Sequence, residues 1–205
     1  VVSVICALIA GTVGLLIGYG VAKKRKSKMA SGVNALAFLP YLLPSITLSA
    51  IFFDMASTFS AAGFKFLYRN PMFLAILLGS IKFIPFASRS ATNAMLQLSN
   101  EIEEAAVIQN VPWWKRMTRV IFPIQKSSFL SGYLLPFISC MREYDLFLFI
   151  GGNGMLLTKQ MFLFHSDGIY GLENAANLLL AIIILLVNWL VNKITGASLD
   201  KGIGG

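Results

Sequence analysis

The opening of this chain constrains it most. Residues 1–22, from Val1 to about Ala22, carry no charged side chain, and Lys23, Lys24, Arg25, Lys26 and Lys28 follow at once. A hydrocarbon core of about 30 Å is crossed by roughly 20 helical residues. The run therefore reads as a transmembrane helix with a basic flank. Four more apolar runs follow, at about 35–56, 71–88, 129–150 and 172–191. Together they predict an all-α membrane protein of five transmembrane helices. Composition excludes the alternatives. Of 205 residues, 57% are apolar and 13% charged, about half the charged share of a soluble domain. Disorder is excluded by the same apolar content.

The net charge of +8 points to topology rather than to nucleic acid, because the cations sit between the apolar runs. Twelve of the 17 Lys and Arg residues fall after spans one, three and five. Lys65, Arg69 and Lys159 fall on the other side, and Lys82 and Arg142 lie within spans. The basic side is the cytoplasmic one, which places the N-terminus outside and the C-terminus inside. The chain starts at Val1 within an apolar run, as expected of a fragment or processed product. Gly14 and Gly18 form a G-x-x-x-G pair, read as helix packing. Cys6 and Cys140 read as small buried hydrophobes. Pro40, Pro44, Pro85 and Pro136 mark kinks, either along a path or for packing alone.

The connection at about 89–128 is too long for a simple bundle turn and reads as two short helices. Asn100 fits an N-cap, with Glu103 in capping-box position. Asn110 fits the left-handed residue that closes the first helix. Pro112 is expected to open the second, which carries Trp113, Trp114, Lys115, Arg116 and Arg119 and ends before Pro123. Two readings stand side by side: a docking hairpin, or an amphipathic hairpin on anionic lipid.

Within this loop, Glu104-Ala105-Ala106, three residues, Asn110, nine residues and Val120-Ile121-Phe122-Pro123 resemble the E-A-A loop. That loop marks permease subunits of binding-protein-dependent ABC importers. The family pattern has Gly where this chain has Asn110, and I-x-L-P where it has V-I-F-P. Asn also adopts the left-handed turn. Leu39-Pro40-Tyr41-Leu42-Leu43-Pro44 is similar to the family's L-P-Y-x-L-P. Met141-Arg142-Glu143-Tyr144-Asp145-Leu146 and Ser166–Gly171 resemble the ferric-iron-type subgroup, in particular the C-terminal half of a two-domain permease.

The resemblance implies a MetI-like permease core over 1–195 with a cytoplasmic tail at 196–205, in the bacterial inner membrane. It implies that Glu104, Ala105, Ala106, Asn110, Pro112 and Pro123 build the contact with a cytoplasmic ABC ATPase dimer. It implies a second permease half or copy and an external binding protein, with ferric iron as the first choice of cargo and thiamine, phosphonate, polyamine and sulfate left open. The chain would be a transport subunit rather than an enzyme. It would bind no cofactor, with ATP and Mg on the partner ATPase; no G-x-x-x-x-G-K-[ST] occurs here.

Charges within spans are costly, on the order of 3 kcal/mol each at mid-bilayer. Lys82, Arg142, Glu143 and Asp145, with Asp54 nearby, therefore face a path or gate, or form interhelical ion pairs. Asp145 is a candidate contact for the external binding protein. His165 stands alone, and no metal-ligand cluster is evident. The apolar stretch 155–164 is expected at the interface or as a partial helix. A secondary transporter driven through Lys82, Glu143 or Asp145 is the alternative, but no internal repeat supports it. No G-x-S-x-G or H-E-x-x-H motif suggests a membrane enzyme.

Overall fold

The helices pair where small residues let their backbones approach. The computed structural model describes residues 1–150 and 156–195. In it α1 (Val2–Lys23) packs along α5 (Pro71–Gln97), and both pack against α9 (Lys126–Arg142). A Cβ on Gly14 would lie 2.5 Å from Ala87 Cβ, and one on Gly18 would lie 2.6 Å from Ala91 Cβ and the Ser88 carbonyl. The G-x-x-x-G pair is thus an internal packing surface. Gly11 takes the Tyr133 ring in the same way, and Gly132 faces Ser90. The Ser90 hydroxyl donates to the Ser128 carbonyl at 2.7 Å, adding a polar tie between α5 and α9.

The remaining elements are α2 (Lys28–Leu42), α3 (Ser45–Ala61), α4 (Phe66–Arg69), α6 (Asn100–Ile108) and α7 (Trp113–Arg116). A π-turn (Met117–Ile121) and α8 (Phe122–Ile124) lead into α9. A 3-10 turn (Asp145–Phe147), α10 (Leu157–Ser166) and α11 (Tyr170–Thr195) complete the order. The tail at 196–205 and residue 155 of the 155–164 stretch lie outside the described residues.

Three of the expected spans differ in detail. The run 35–56 is two helices, α2 and α3, bent by 98°. Pro44 pushes Leu43 into extended backbone (φ −79°, ψ 135°), which a helix cannot hold. The run 71–88 continues to Gln97 because its next turns stay in the core: Ser90, Ala91, Ala94 and Met95 are buried. Arg89 turns outward over the Phe38 ring, 4.6 Å from its centroid. The run 129–150 stops as a helix at Arg142. The charged Arg142, Glu143 and Asp145 interrupt it, and Leu146, Phe147 and Ile150 fold back into the core, each no more than 2% exposed. Among the described residues, α1, α5 and α11 are long and apolar enough to cross a membrane, and the bent α2–α3 pair makes a fourth crossing if taken as one. Within the described part of the 155–164 stretch a helix, α10, starts at Leu157, and none of its residues is buried.

Candidate functional site: a helical hairpin and a charged cavity

The connection between α5 and α9 folds as the expected hairpin, with its caps shifted. Ser99, not Asn100, is the N-cap of α6, and its hydroxyl accepts from Glu101 N at 3.3 Å. Leu98 is extended, so the chain is free to start a helix one residue earlier than the capping-box reading. Asn100 instead accepts from Lys23 Nζ at 3.4 Å. Asn110 has φ 55°, and Val111 N–H and Asn110 N–H return to the carbonyls of Ala106 and Val107. That is the 6→1, 5→2 pattern of a left-handed helix stop. Pro112 is the N-cap of α7 rather than its first residue. The second arm does not end before Pro123. Pro123 lacks the N–H that would meet the Arg119 carbonyl, and the chain widens into a π-turn, with Phe122 N–H on the Met117 carbonyl, before α8 takes in Pro123.

The two faces of α6 have different surroundings. Glu101, Glu104, Ala105 and Ile108 are exposed, Ile108 by 80%, and their i, i+3, i+4, i+7 spacing puts them on one face. Glu103 faces inward and is 6% exposed. The Tyr19 hydroxyl donates to its Oε1 at 2.5 Å, and Lys23 Nζ lies 2.5 Å from Oε2. Arg116 Nε is 3.9 Å from Oε1, while another guanidinium nitrogen donates to the Val111 carbonyl at 3.1 Å. Burial alone would push the Glu103 carboxyl up. Hydrogen bonds from Lys23 and Tyr19 and the charges of Lys23 and Arg116 outweigh this and hold it below the ordinary carboxylate value. Trp113 rests edge-on against Tyr19 at 5.9 Å. Glu103 thus ties both arms of the hairpin to the end of α1. In the sequence Glu103 reads only as a capping residue, since nothing in its spacing points to Tyr19 or Lys23.

At the other end of the fold, Lys82, Arg142 and Glu143 line one cavity of about 410 Å³, with Tyr41, Ser45 and Ser139. Asp145 does not line it. Among the described residues no ion pair within 4.0 Å joins these charges. Lys82, 6% exposed, donates instead to the carbonyls of Pro40 (3.1 Å) and Leu43 (2.6 Å). These are carbonyls the α2–α3 break leaves open: Pro44 has no N–H to offer Pro40. One ammonium caps both, at a helix C-terminus where positive charge is favoured. Two of its three donors are so used. Arg142 and Asp145 are exposed and Glu143 is half-buried.

Fold and site together define a multi-span, all-helical membrane protein with a helical hairpin held at the basic end of its first helix. Residues 14–199 match the binding-protein-dependent transport system inner membrane component family, and the chain belongs to that family. It is 25% identical over 207 residues to the inner membrane ABC transporter permease protein YcjP of Escherichia coli (strain K12), covering 98% of this chain and 71% of that protein. It is 26% identical over 128 residues to a probable sulfate transport system permease protein cysT of Chlorokybus atmophyticus. That match covers 59% of this chain and spans under half, 44%, of the relative. A cysT protein of Nephroselmis olivacea is 23% identical over 204 residues, 92% of this chain and 70% of that protein. Among solved structures, one of the MetNI methionine ABC transporter in inward-facing conformations matches with TM-score 0.70 and 17% identity, over 94% of this chain and 91% of that one. It shares the fold. None of these relatives is named for iron, so the expectation of ferric iron finds no support in them.

Proposed function

We propose that this chain is the membrane subunit of an ATP-driven importer, passing substrate from an external binding protein to the cytoplasm. A separate ATPase dimer docks on the hairpin. The observation that carries this reading is the division of α6 into two faces. Glu104, Ala105 and Ile108 stand free for a partner, while Glu103 anchors the opposite face to α1. A push on the outer face is then transmitted to a spanning helix. Small Ala105 permits close approach, and Glu104 offers a charge-assisted contact to a basic partner group. The basic end of α1 lies on the cytoplasmic side, as the charge bias favours. The apolar outer surface of α2, α3 and α11 is available to lipid and to a second permease half or copy.

The cargo we propose is a small oxyanion. Lys82 and Arg142 outnumber Glu143 in the cavity, and Tyr41, Ser45 and Ser139 add hydroxyl donors. Two relatives named for sulfate transport agree in chemistry with that lining.

The test is co-purification of the full-length protein with its operon's ATPase, followed by uptake of radiolabelled sulfate and of ferric iron in cells. Association that Glu104→Lys abolishes supports the importer reading. Uptake driven by an ion gradient without any ATPase overturns it, and ATP-dependent uptake of iron but not sulfate overturns the oxyanion assignment.

A further inference from the structure

Residues 23–28 turn the chain from α1 into α2, and the corner carries four consecutive cations. Lys23 is committed to Glu103. Among the described residues, Lys24, Arg25 and Lys26 pair with no carboxylate. All four line one cavity of about 550 Å³, with Met95 and Leu98 on its apolar wall. Adjacent like charges gathered on one concavity repel each other until an anion joins them.

A second cavity of about 430 Å³ starts at the same corner, sharing Lys24 and Ser27 with the first. It runs between α1 and α2 over Leu16, Ile17, Val21, Met29 and Val33, with bare Gly20 among them. A Cβ on Gly20 would meet nothing within 4 Å. The corner therefore presents a basic bowl continuous with an apolar groove on a helix long and apolar enough to cross the membrane. A soluble anion would satisfy the bowl and leave the groove bare. A zwitterionic lipid would fill the groove and leave the cations uncompensated.

We propose that the α1–α2 corner is a binding site for an anionic phospholipid. Its phosphate sits among Lys24, Arg25 and Lys26, and one acyl chain lies in the groove past Gly20. The site requires α1 to cross the membrane with its basic end at the headgroups. It does not depend on what the protein transports.

The test is native mass spectrometry of the full-length protein in its complex, released from neutral detergent, with phosphatidylglycerol, phosphatidylethanolamine or inorganic phosphate added. Phosphatidylglycerol is expected to stay bound in preference to phosphatidylethanolamine. Its affinity should fall about fivefold for each cation removed in the series Lys24→Gln, Arg25→Gln, Lys26→Gln. Gly20→Phe should weaken phosphatidylglycerol and leave inorganic phosphate unaffected. Equal retention of the two lipids, or undiminished phosphatidylglycerol binding by the triple variant, overturns the proposal. So does inorganic phosphate binding as tightly as the lipid with no effect of Gly20→Phe, which would mark a free-anion site. The cations are exposed, so their series decides the matter even if Gly20→Phe fails to fold.

Discussion

Lys23 Nζ and Glu103 Oε2 lie 2.5 Å apart, joining the last turn of α1 to the buried side of α6. Tyr19 holds the other carboxylate oxygen. Hydrogen bonds to a charged group contribute about 1.5–3 kcal/mol. The tie is thus strong enough to move α1 and α6 together, and weak enough to be broken by one substitution.

We therefore expect Glu103→Gln to leave ATPase association intact while transport falls. A coupling free energy of about 1–3 kcal/mol corresponds to a loss of roughly 5–150-fold. The charge-exchanged pair Lys23→Glu with Glu103→Lys should recover part of it. Transport measured beside co-purification separates the two effects. Full activity of Glu103→Gln would remove Glu103 from the coupling route.

The same carboxylate makes the tie pH-dependent. Its folded value lies below the ordinary 4.5, so the stabilisation is fully present above the unfolded value. It is lost as pH falls through the folded one. Amide exchange over α6, corrected for its intrinsic pH dependence, should rise only below about pH 4.5 in the native chain. In Glu103→Gln that added exchange should already be present at neutral pH and stay level.

Glu104 is one residue away and exposed, and its substitution should behave in the opposite way. Glu104→Lys should change the melting temperature little, since exposed changes are usually within about 0.5 kcal/mol, yet abolish partner association. A large drop in melting temperature would show that Glu104 belongs to the fold instead.

Lys82→Met removes the only described donor to the open carbonyls of Pro40 and Leu43. Each buried acceptor left unsatisfied costs about 1–3 kcal/mol. Thermal unfolding in detergent should show a loss of that order, with Lys82→Arg milder because a donor remains. An unchanged melting temperature for Lys82→Met would mean water takes over both carbonyls.

Gly14→Leu should be severely destabilising, because its Cβ alone would meet the backbone of α5 at 2.7 Å and overpacking costs about 1–3 kcal/mol or more. Gly20→Leu, on the open side of the same helix, should be tolerated. Size-exclusion profiles of the two variants provide the comparison.

Where a single residue type dictates the local geometry the sequence and the structure agree, although the caps at Asn100 and Pro112 each fall one residue from their expected places. Gly14 and Gly18 announce close packing, Asn110 announces a helix stop, and the first apolar run announces a spanning helix. Where the outcome depends on distant partners, they part. Leu146 and Phe147 belong by composition to a span, but the charges before them interrupt the helix and both side chains turn back into the core. Glu103 looks like a cap until α1 brings Tyr19 and Lys23 to it from about 80 positions away. Lys82 reads as a path residue or as half of an ion pair, because sequence spacing cannot reveal that the break at Leu43, 39 residues earlier, leaves carbonyls pointing at it.

One consequence follows from α11. Its spanning segment has a mean hydropathy of 2.2, and only 6% of that segment is buried within the chain. Such a helix owes its place to the surrounding solvent more than to its neighbours. It is a tenant of the bilayer, inserted on its own terms and waiting for a surface. Expressed as a separate segment beginning at the left-handed Gly168 turn, it should still span the bilayer on its composition alone.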